Sequence, residues 1–420
     1  MRDRLRLAAC AAAAAIVAAG CGSTASPPSA PKPAITRGVA FRVPAADPRP
    51  YGAADTAFGL DVLGAWCRRD PTDNIVLSPE SLATGLGLAY LGARGATASA
   101  MARVLRLPAL GPALLAGLHA RSAALRELDG PGVTVAGSDH VWADPSLTTE
   151  RGYLNDVATG YGAGLWRVPL LTDTGRAVGQ INASIDAATR GHIPHLLTPG
   201  ELSGSGWVLT DALYLDAAWA APFQASQTKS GPFTTAAGGH VSARLMHGNG
   251  FGVSASGGWT AVSLPYRGGK LSMIALLPAA GSGSGGCPAL PPATLSRLET
   301  ALSKPARQAA IALPKVSLSS SASLRELLTG LGMGVAFGRD ADFSGLSRQA
   351  CCIGAVVHAA TLAVAEKGTV ASAATGVGIL PSAEPVPLAR VVFDRPYLLL
   401  VTDNATGEPL FMARVADPAA

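Results

Sequence analysis

The chain has 420 residues, 48% of them hydrophobic and 15% charged, with a formal net charge of +5. That composition can bury a sizeable core and excludes a disordered chain. The small charge, with no Lys/Arg run or basic stripe, argues against nucleic acid as a partner, and the length allows two or three ordinary domains or one large one.

Residues 1–20 carry address information. Arg2, Arg4 and Arg6 precede an apolar stretch from Leu7 to Ala19 that is too short to span a bilayer, the pattern of a signal peptide. Ala18-Ala19-Gly20-Cys21-Gly22 resembles the bacterial lipobox, so Cys21 is expected to be lipidated and to become the N-terminus; Ala18 departs from the pattern, which favours a larger aliphatic. Loss of the leader, with its three arginines and Asp3, takes the charge to about +3. The chain is expected to be exported and lipid-anchored on the outer face of the cell membrane, or secreted. Residues 21–50, rich in Pro and Ser, read as a disordered tether.

Beyond Cys10 and Cys21 stand Cys67, Cys287, Cys351 and Cys352. No C-x-x-C pair exists, so neither a metal nor a cofactor is expected. Four exported cysteines allow three pairings, which the sequence leaves open, and a bond between the neighbours Cys351 and Cys352 would be strained.

After the tether, apolar spacing predicts a helix over 53–68 and a short buried strand at 74–78. Ser78 is the expected cap of a helix whose first turn holds Pro79 and whose apolar face holds Leu82, Leu86, Leu88 and Ala89. Helices follow over 97–105 and 112–128. Strands are predicted at 133–142, 207–215, 241–246, 259–264 and 271–277, with Pro265-Tyr266-Arg267-Gly268-Gly269 turning between the last two. Another strand lies at 309–318, then a helix over 323–333 with Ser323 as N-cap and Gly332 near its end. Strands at 356–365, 390–403 and 409–415 close the chain. Helices cluster early and strands late, which predicts an α+β fold with mainly antiparallel sheets. No linker divides 51–420, so it reads as one domain.

Several segments, in this order, resemble the serpin family. Asn74-Ile75-Val76-Leu77-Ser78-Pro79 with Ser81 is similar to the strand and helix start beneath that family's central sheet. Leu91-Gly92-Ala93-Arg94-Gly95-Ala96-Thr97, then Ile181-Asn182 with Thr189 and Gly191-His192-Ile193, match further family segments. The run 209–223 is close to the strand ending at the family's tryptophan, here Trp219. Leu264-Pro265-Tyr266-Arg267-Gly268, Leu313-Pro314-Lys315, Ala341-Asp342-Phe343-Ser344-Gly345, Val357-His358, Phe393-Asp394-Arg395-Pro396-Tyr397 and Asp403-Asn404-Ala405-Thr406-Gly407 continue the match to about residue 417. Each is weak alone; their colinearity is specific. The resemblance implies a serpin fold, with helices around three mainly antiparallel sheets and an exposed reactive-centre loop at about 366–389. It implies a monomer that inhibits serine proteases and is not an enzyme.

That loop begins Glu366-Lys367-Gly368-Thr369-Val370-Ala371-Ser372-Ala373-Ala374-Thr375. A strand entering the middle of a sheet must bond along both edges, so proline is excluded, and small or β-branched side chains fit most easily. The stretch meets both demands. In the family the cleaved loop inserts into the large sheet and traps the protease as an acyl-enzyme, and Thr369, Ala371, Ala373 and Thr375 would face inward. Family spacing puts the scissile bond at Ser382–Ala383, with Leu380 and Pro381 as alternatives. A small residue suits an elastase-like or subtilisin-like protease, and Leu380 a chymotrypsin-like one. Ser78, Ser81, Asn182, Asp211 and His358 match the cluster where the family's sheet opens, and Trp219 the top of that sheet. Asp211 replaces the usual Asn; paired with His358 it would raise the histidine's pKa and make opening pH-sensitive. Two rivals remain: a serpin that binds at the surface without inhibiting, and, more remotely, a serine hydrolase suggested by Ser226-x-x-Lys229.

Overall fold

The computed structural model describes residues 33–137, 140–202, 206–210, 212–281, 287–369 and 389–419. The expectations for Cys21, Asp211, the hinge residues Val370, Ala371, Ser372, Ala373, Ala374 and Thr375, and the cleavage positions Leu380, Pro381, Ser382 and Ala383 lie outside the described residues.

Helix α1 (Arg49–Arg69) opens with Pro50 in its first turn, and α2 (Pro79–Gly92) with Pro79. Proline suits that position because its missing N–H would have no helical partner. Ser78 caps α2, its side chain accepting from Ser81 N–H at 3.2 Å. Every residue of α2 is buried, as expected of a helix that is largely apolar around its circumference. Then come α3 (Gly95–Leu105), α4 (Pro112–Arg126), α5 (Arg151–Tyr161), α6 (Thr174–Ala188), α7 (Pro292–Ser303) and the single turn α8 (Arg325–Leu328).

The strands, in chain order, are β1 (Ala34–Thr36), β2 (Ile75–Leu77), β3 (Val133–Gly137), β4 (His140–Ala143), β5 (Leu165–Arg167), β6 (Trp207–Thr210), β7 (Leu213–Ala218), β8 (Lys229–Thr234), β9 (His240–Ser256), β10 (Trp259–Pro265), β11 (Leu271–Pro278), β12 (Gln308–Pro314), β13 (Val316–Ser323), β14 (Val357–Ala365), β15 (Gly368–Thr369), β16 (Ala389–Val392), β17 (Tyr397–Asp403) and β18 (Pro409–Val415). They form three sheets. One runs β16-β12-β9-β10-β11-β17-β18-β2, with β8 also paired to β9; a second runs β13-β14-β15-β7-β3; a third runs β1-β5-β4-β6. Pairing is antiparallel except for β12–β16 and β4–β5. The α+β architecture with mainly antiparallel sheets is therefore as the sequence predicts.

Three runs expected as single strands each serve two sheets. The 133–142 run divides into β3 and β4, and the 207–215 run into β6 and β7, each giving one strand to the five-stranded sheet and one to the four-stranded sheet. The 309–318 run divides at Pro314 and Lys315 into β12 and β13. The helix expected over 323–333 is found from Arg325, as one α-turn continued by a wider turn over Thr329–Met333; its N-cap is Leu324, and Ser323 instead ends β13. Gly332, at φ 107°, then breaks helical continuity.

The segment expected to be a tether is not wholly unstructured. Ala34, Ile35 and Thr36 pair antiparallel with Arg167, Trp166 and Leu165, and Val39 N–H donates to Asn155 Oδ1 at 2.8 Å. Its apolar residues find a strand edge to cover, which outweighs the proline-rich context. Cys67 and Cys287 form a disulfide that closes across 220 residues, and Cys351 and Cys352 are free thiols.

Candidate functional site

Strand β15 is the two-residue start of the expected loop, lodged between β14 and β7. Glu366 and Lys367 turn the chain back, so Ala365 faces Gly368 and Val364 faces Thr369. On the other edge Gly368 faces Ala218 and Thr369 faces Ala217. Only glycine fits at 368, since a Cβ there would lie 2.1 Å from Ala217 O.

The turn is held from outside the strands. Trp219 N–H donates to Lys367 O at 2.9 Å and Phe223 N–H to Glu366 O at 2.8 Å. The buried Trp219 indole donates to Ala365 O at 2.8 Å and stacks on Tyr266 with 4.5 Å between ring centroids. Tyr266 and Thr369 share a hydroxyl–hydroxyl hydrogen bond of 2.6 Å. Glu366 accepts from Thr228 Oγ1 and from Lys315 Nζ, both at 3.0 Å. Partial burial opposes ionisation of Glu366, but hydrogen bonds from its own backbone N–H, Lys315 and Thr228 prevail and hold its pKa below the ordinary carboxylate range.

Among the described residues, the β7-facing edge of β14 is laddered only at Val364 and Ala365, which leaves 357–363 without strand partners there. Strand β7 pairs with β3 along its far edge and with β15 only at Ala217 and Ala218. Apolar residues of both, Leu213, Leu215, Ala360 and Leu362, still pack into one buried core. Between these two edges, among the described residues, lies the slot at whose head β15 sits, bordered by backbone donors and acceptors.

Ser78, Ser81 and His358 meet at the foot of β14. Ser78 N–H donates to His358 Nε2 at 3.1 Å, so the neutral ring carries its proton on Nδ1. His358 Nδ1 and Ser81 Oγ have no hydrogen-bond partner among the described residues. The expected rise in the His358 pKa is not found: burial pushes it down to about 4. Asn182 directs its hydrogen bonds elsewhere. Its amide accepts from Leu196 and Leu197 N–H and donates to Leu197 O, fastening the loop after α6. Ser226-x-x-Lys229 does not open a helix as the hydrolase signature requires; Ala225–Gln227 is one 3-10 turn and Lys229 begins β8. Among the described residues no cluster of three His, Cys, Asp or Glu could hold a metal.

The sequence profile of the family described as Serpin (serine protease inhibitor) matches residues 53–418. The chain belongs to the serpin family. An uncharacterized serpin-like protein of Thermococcus kodakarensis is 31% identical over 350 residues, covering 82% of this chain and 81% of its own length. The leukocyte elastase inhibitor of Bos taurus is 30% identical over 377 residues, covering 87% of this chain and 99% of its own. The crystal structure of the thermophilic serpin tengpin in its native state superposes with a TM-score of 0.78 at 22% identity, covering 92% of this chain and all of that one, which bears on the fold alone. Serpins are generally inhibitors of serine proteases.

Sequence reasoning missed Thr228 as a partner of the serpin hinge, and saw Tyr266 and Lys315 only as parts of matched segments. These side chains reach Thr369 and Glu366 from 103, 138 and 51 residues away. No local periodicity carries such a contact.

Proposed function

We propose that this serpin inhibits serine proteases as a suicide substrate, trapping the acyl-enzyme by inserting its cleaved loop into the slot between β14 and β7. The observation that carries the reading is the seating of Gly368 and Thr369 at the head of that slot, in register with both strands. The residues that follow, Val370 to Thr375, include no proline and no charge, as entry between two strands requires. A protease attacks near Ser382–Ala383 and forms an ester with the loop. Insertion then carries the ester away before water completes hydrolysis. Fourteen inserted residues span roughly 46 Å, which moves the bound protease far across the molecule. Small residues at the cleavage site suit a protease with a shallow primary pocket of the elastase-like or subtilisin-like type.

The test is to mix the chain with pancreatic elastase and with subtilisin and run denaturing gels. A covalent band near the summed mass of chain and protease is expected. Clean cleavage of the loop without such a band would reject trapping and leave a surface-binding serpin as the better account.

A further inference from the structure

The segment leading into β14 carries two adjacent thiols that the inhibitory reading does not use. Cys351 is exposed and Cys352 is partly buried. Their sulfurs lie 3.0 Å apart. Both flanks are anchored: Ala350 N–H donates to Ser347 O at 3.1 Å and Ile353 N–H to Ala336 O at 3.0 Å. Arg325 holds Gly354 O at 3.1 Å and Phe337 O at 2.8 Å.

Cys352 also lines a cavity of about 40 Å³. The same cavity is lined by Val141 on β4, Trp207 and Leu209 on β6 and Ala89 on α2. These strands belong to the four-stranded sheet, whereas Cys352 and residues 353–355, which also line the cavity, lead into β14. The thiol pair thus sits at a joint between the strand that borders the slot and the sheet beside it.

We propose that Cys351 and Cys352 are a reversible redox site, a vicinal dithiol that small-molecule disulfides of the oxidised-glutathione or cystine kind convert to a disulfide, stiffening the segment from which β14 starts. The exposed Cys351 thiolate attacks the small disulfide, forming a mixed disulfide and expelling one thiolate. Cys352, deprotonated in turn, attacks the Cys351 sulfur and expels the second. The chain loses two protons and two electrons and closes an eight-membered ring; the oxidant gains both and leaves as two thiols. The sulfurs need approach by about 1 Å to reach bonding distance, and the strain that the small ring puts on the intervening peptide keeps the bond easily reduced. Burial raises the pKa of the Cys352 thiol, which makes Cys351 the first to react and Cys352 the resolving partner. Surroundings oxidising enough to maintain the Cys67–Cys287 bond can also act on this pair. Any effect on sheet opening rests on the inhibitory reading; the thiol chemistry does not.

The experiment treats the full chain with oxidised glutathione, blocks remaining thiols and digests with trypsin. Cleavage after Arg348 and Lys367 releases one peptide, 349–367, holding both cysteines. That peptide is expected to become lighter by two hydrogens and to recover with dithiothreitol at doses that leave Cys67–Cys287 intact. Cys352→Ser is expected to stop at a glutathione adduct on Cys351. Hydrogen exchange over 353–360 is expected to slow about tenfold in the oxidised chain. Unreacted thiols, a disulfide-linked dimer, or persistent glutathione on the unsubstituted chain would overturn the site. Unchanged exchange after ring closure would overturn the stiffening. A chain that closes the ring yet traps no protease leaves this site standing and rejects only the inhibitory reading.

Discussion

At Gly368 the hinge allows no side chain, because Ala217 O already occupies the space a Cβ would need. Gly368→Ala is therefore expected to unseat β15 and release Thr369 from Tyr266. Limited proteolysis within 370–388 should then run several-fold faster than in the unsubstituted chain; equal rates would show that the seat does not restrain the loop. His358 makes a different statement. An unfolded chain titrates its imidazole near 6.5, the folded chain at about 4. Between those values the unfolded chain binds a proton that the folded chain refuses, so stability is full above about pH 6.5 and falls as pH drops toward 4. The loss from this group approaches about 3 kcal/mol. His358→Gln keeps an acceptor for Ser78 N–H and removes the titration. The slope of stability against pH in that window should flatten by up to about 1.4 kcal/mol per pH unit. An unchanged slope would mean that His358 already shares its proton with a partner.

At the scale of elements, one buried guanidinium joins three helices to the turn between β17 and β18. Arg121 on α4 lies 2.7 Å from Asp55 on α1, 3.4 Å from Glu80 on α2 and 2.9 Å from Glu408. One cation faces three carboxylates, and burial drives Asp55 well above and Glu80 above the ordinary carboxylate range. Arg121→Leu would leave buried carboxylates without their cation and is expected to cost on the order of 3–5 kcal/mol in chemical denaturation; a loss below about 1 kcal/mol would show that protonated carboxylates satisfy one another. The sequence displayed this level unevenly. Proline and serine at the start of α2 and the hairpin between β10 and β11 were legible, because capping and turn chemistry are local. Helix α6 buries Ala177, Val178, Ile181 and Ile185 at helical spacing, and α7 buries Leu295, Leu298 and Leu302. Both patterns were present but went unread among abundant Ala, Gly and Ser. The division of 133–142 and 207–215 between two sheets was not legible, since an alternating run has the same period whichever neighbour it joins. The hinge was legible from its composition and its family match. What seats it, Trp219 on Tyr266 and Glu366 between Thr228 and Lys315, depends on tertiary contacts.

For the whole molecule, the edges of β7 and β14 that have no strand partner among the described residues are where the proposed insertion would add backbone pairing. Filling the slot beside 357–363 would add roughly ten hydrogen bonds along its two borders, each contributing about 1 kcal/mol. A gain on the order of 10 kcal/mol in a chain of this size corresponds to a rise on the order of 15 °C in melting temperature. The disulfide and the β1 strap stay in place, since neither borders the slot. The most direct test is thermal melting of the purified chain before and after a single cut in residues 376–388 by a protease that is not itself trapped. Loop insertion predicts that the cut chain melts on the order of 10–15 °C higher. Equal or lower melting of the cut chain would contradict it.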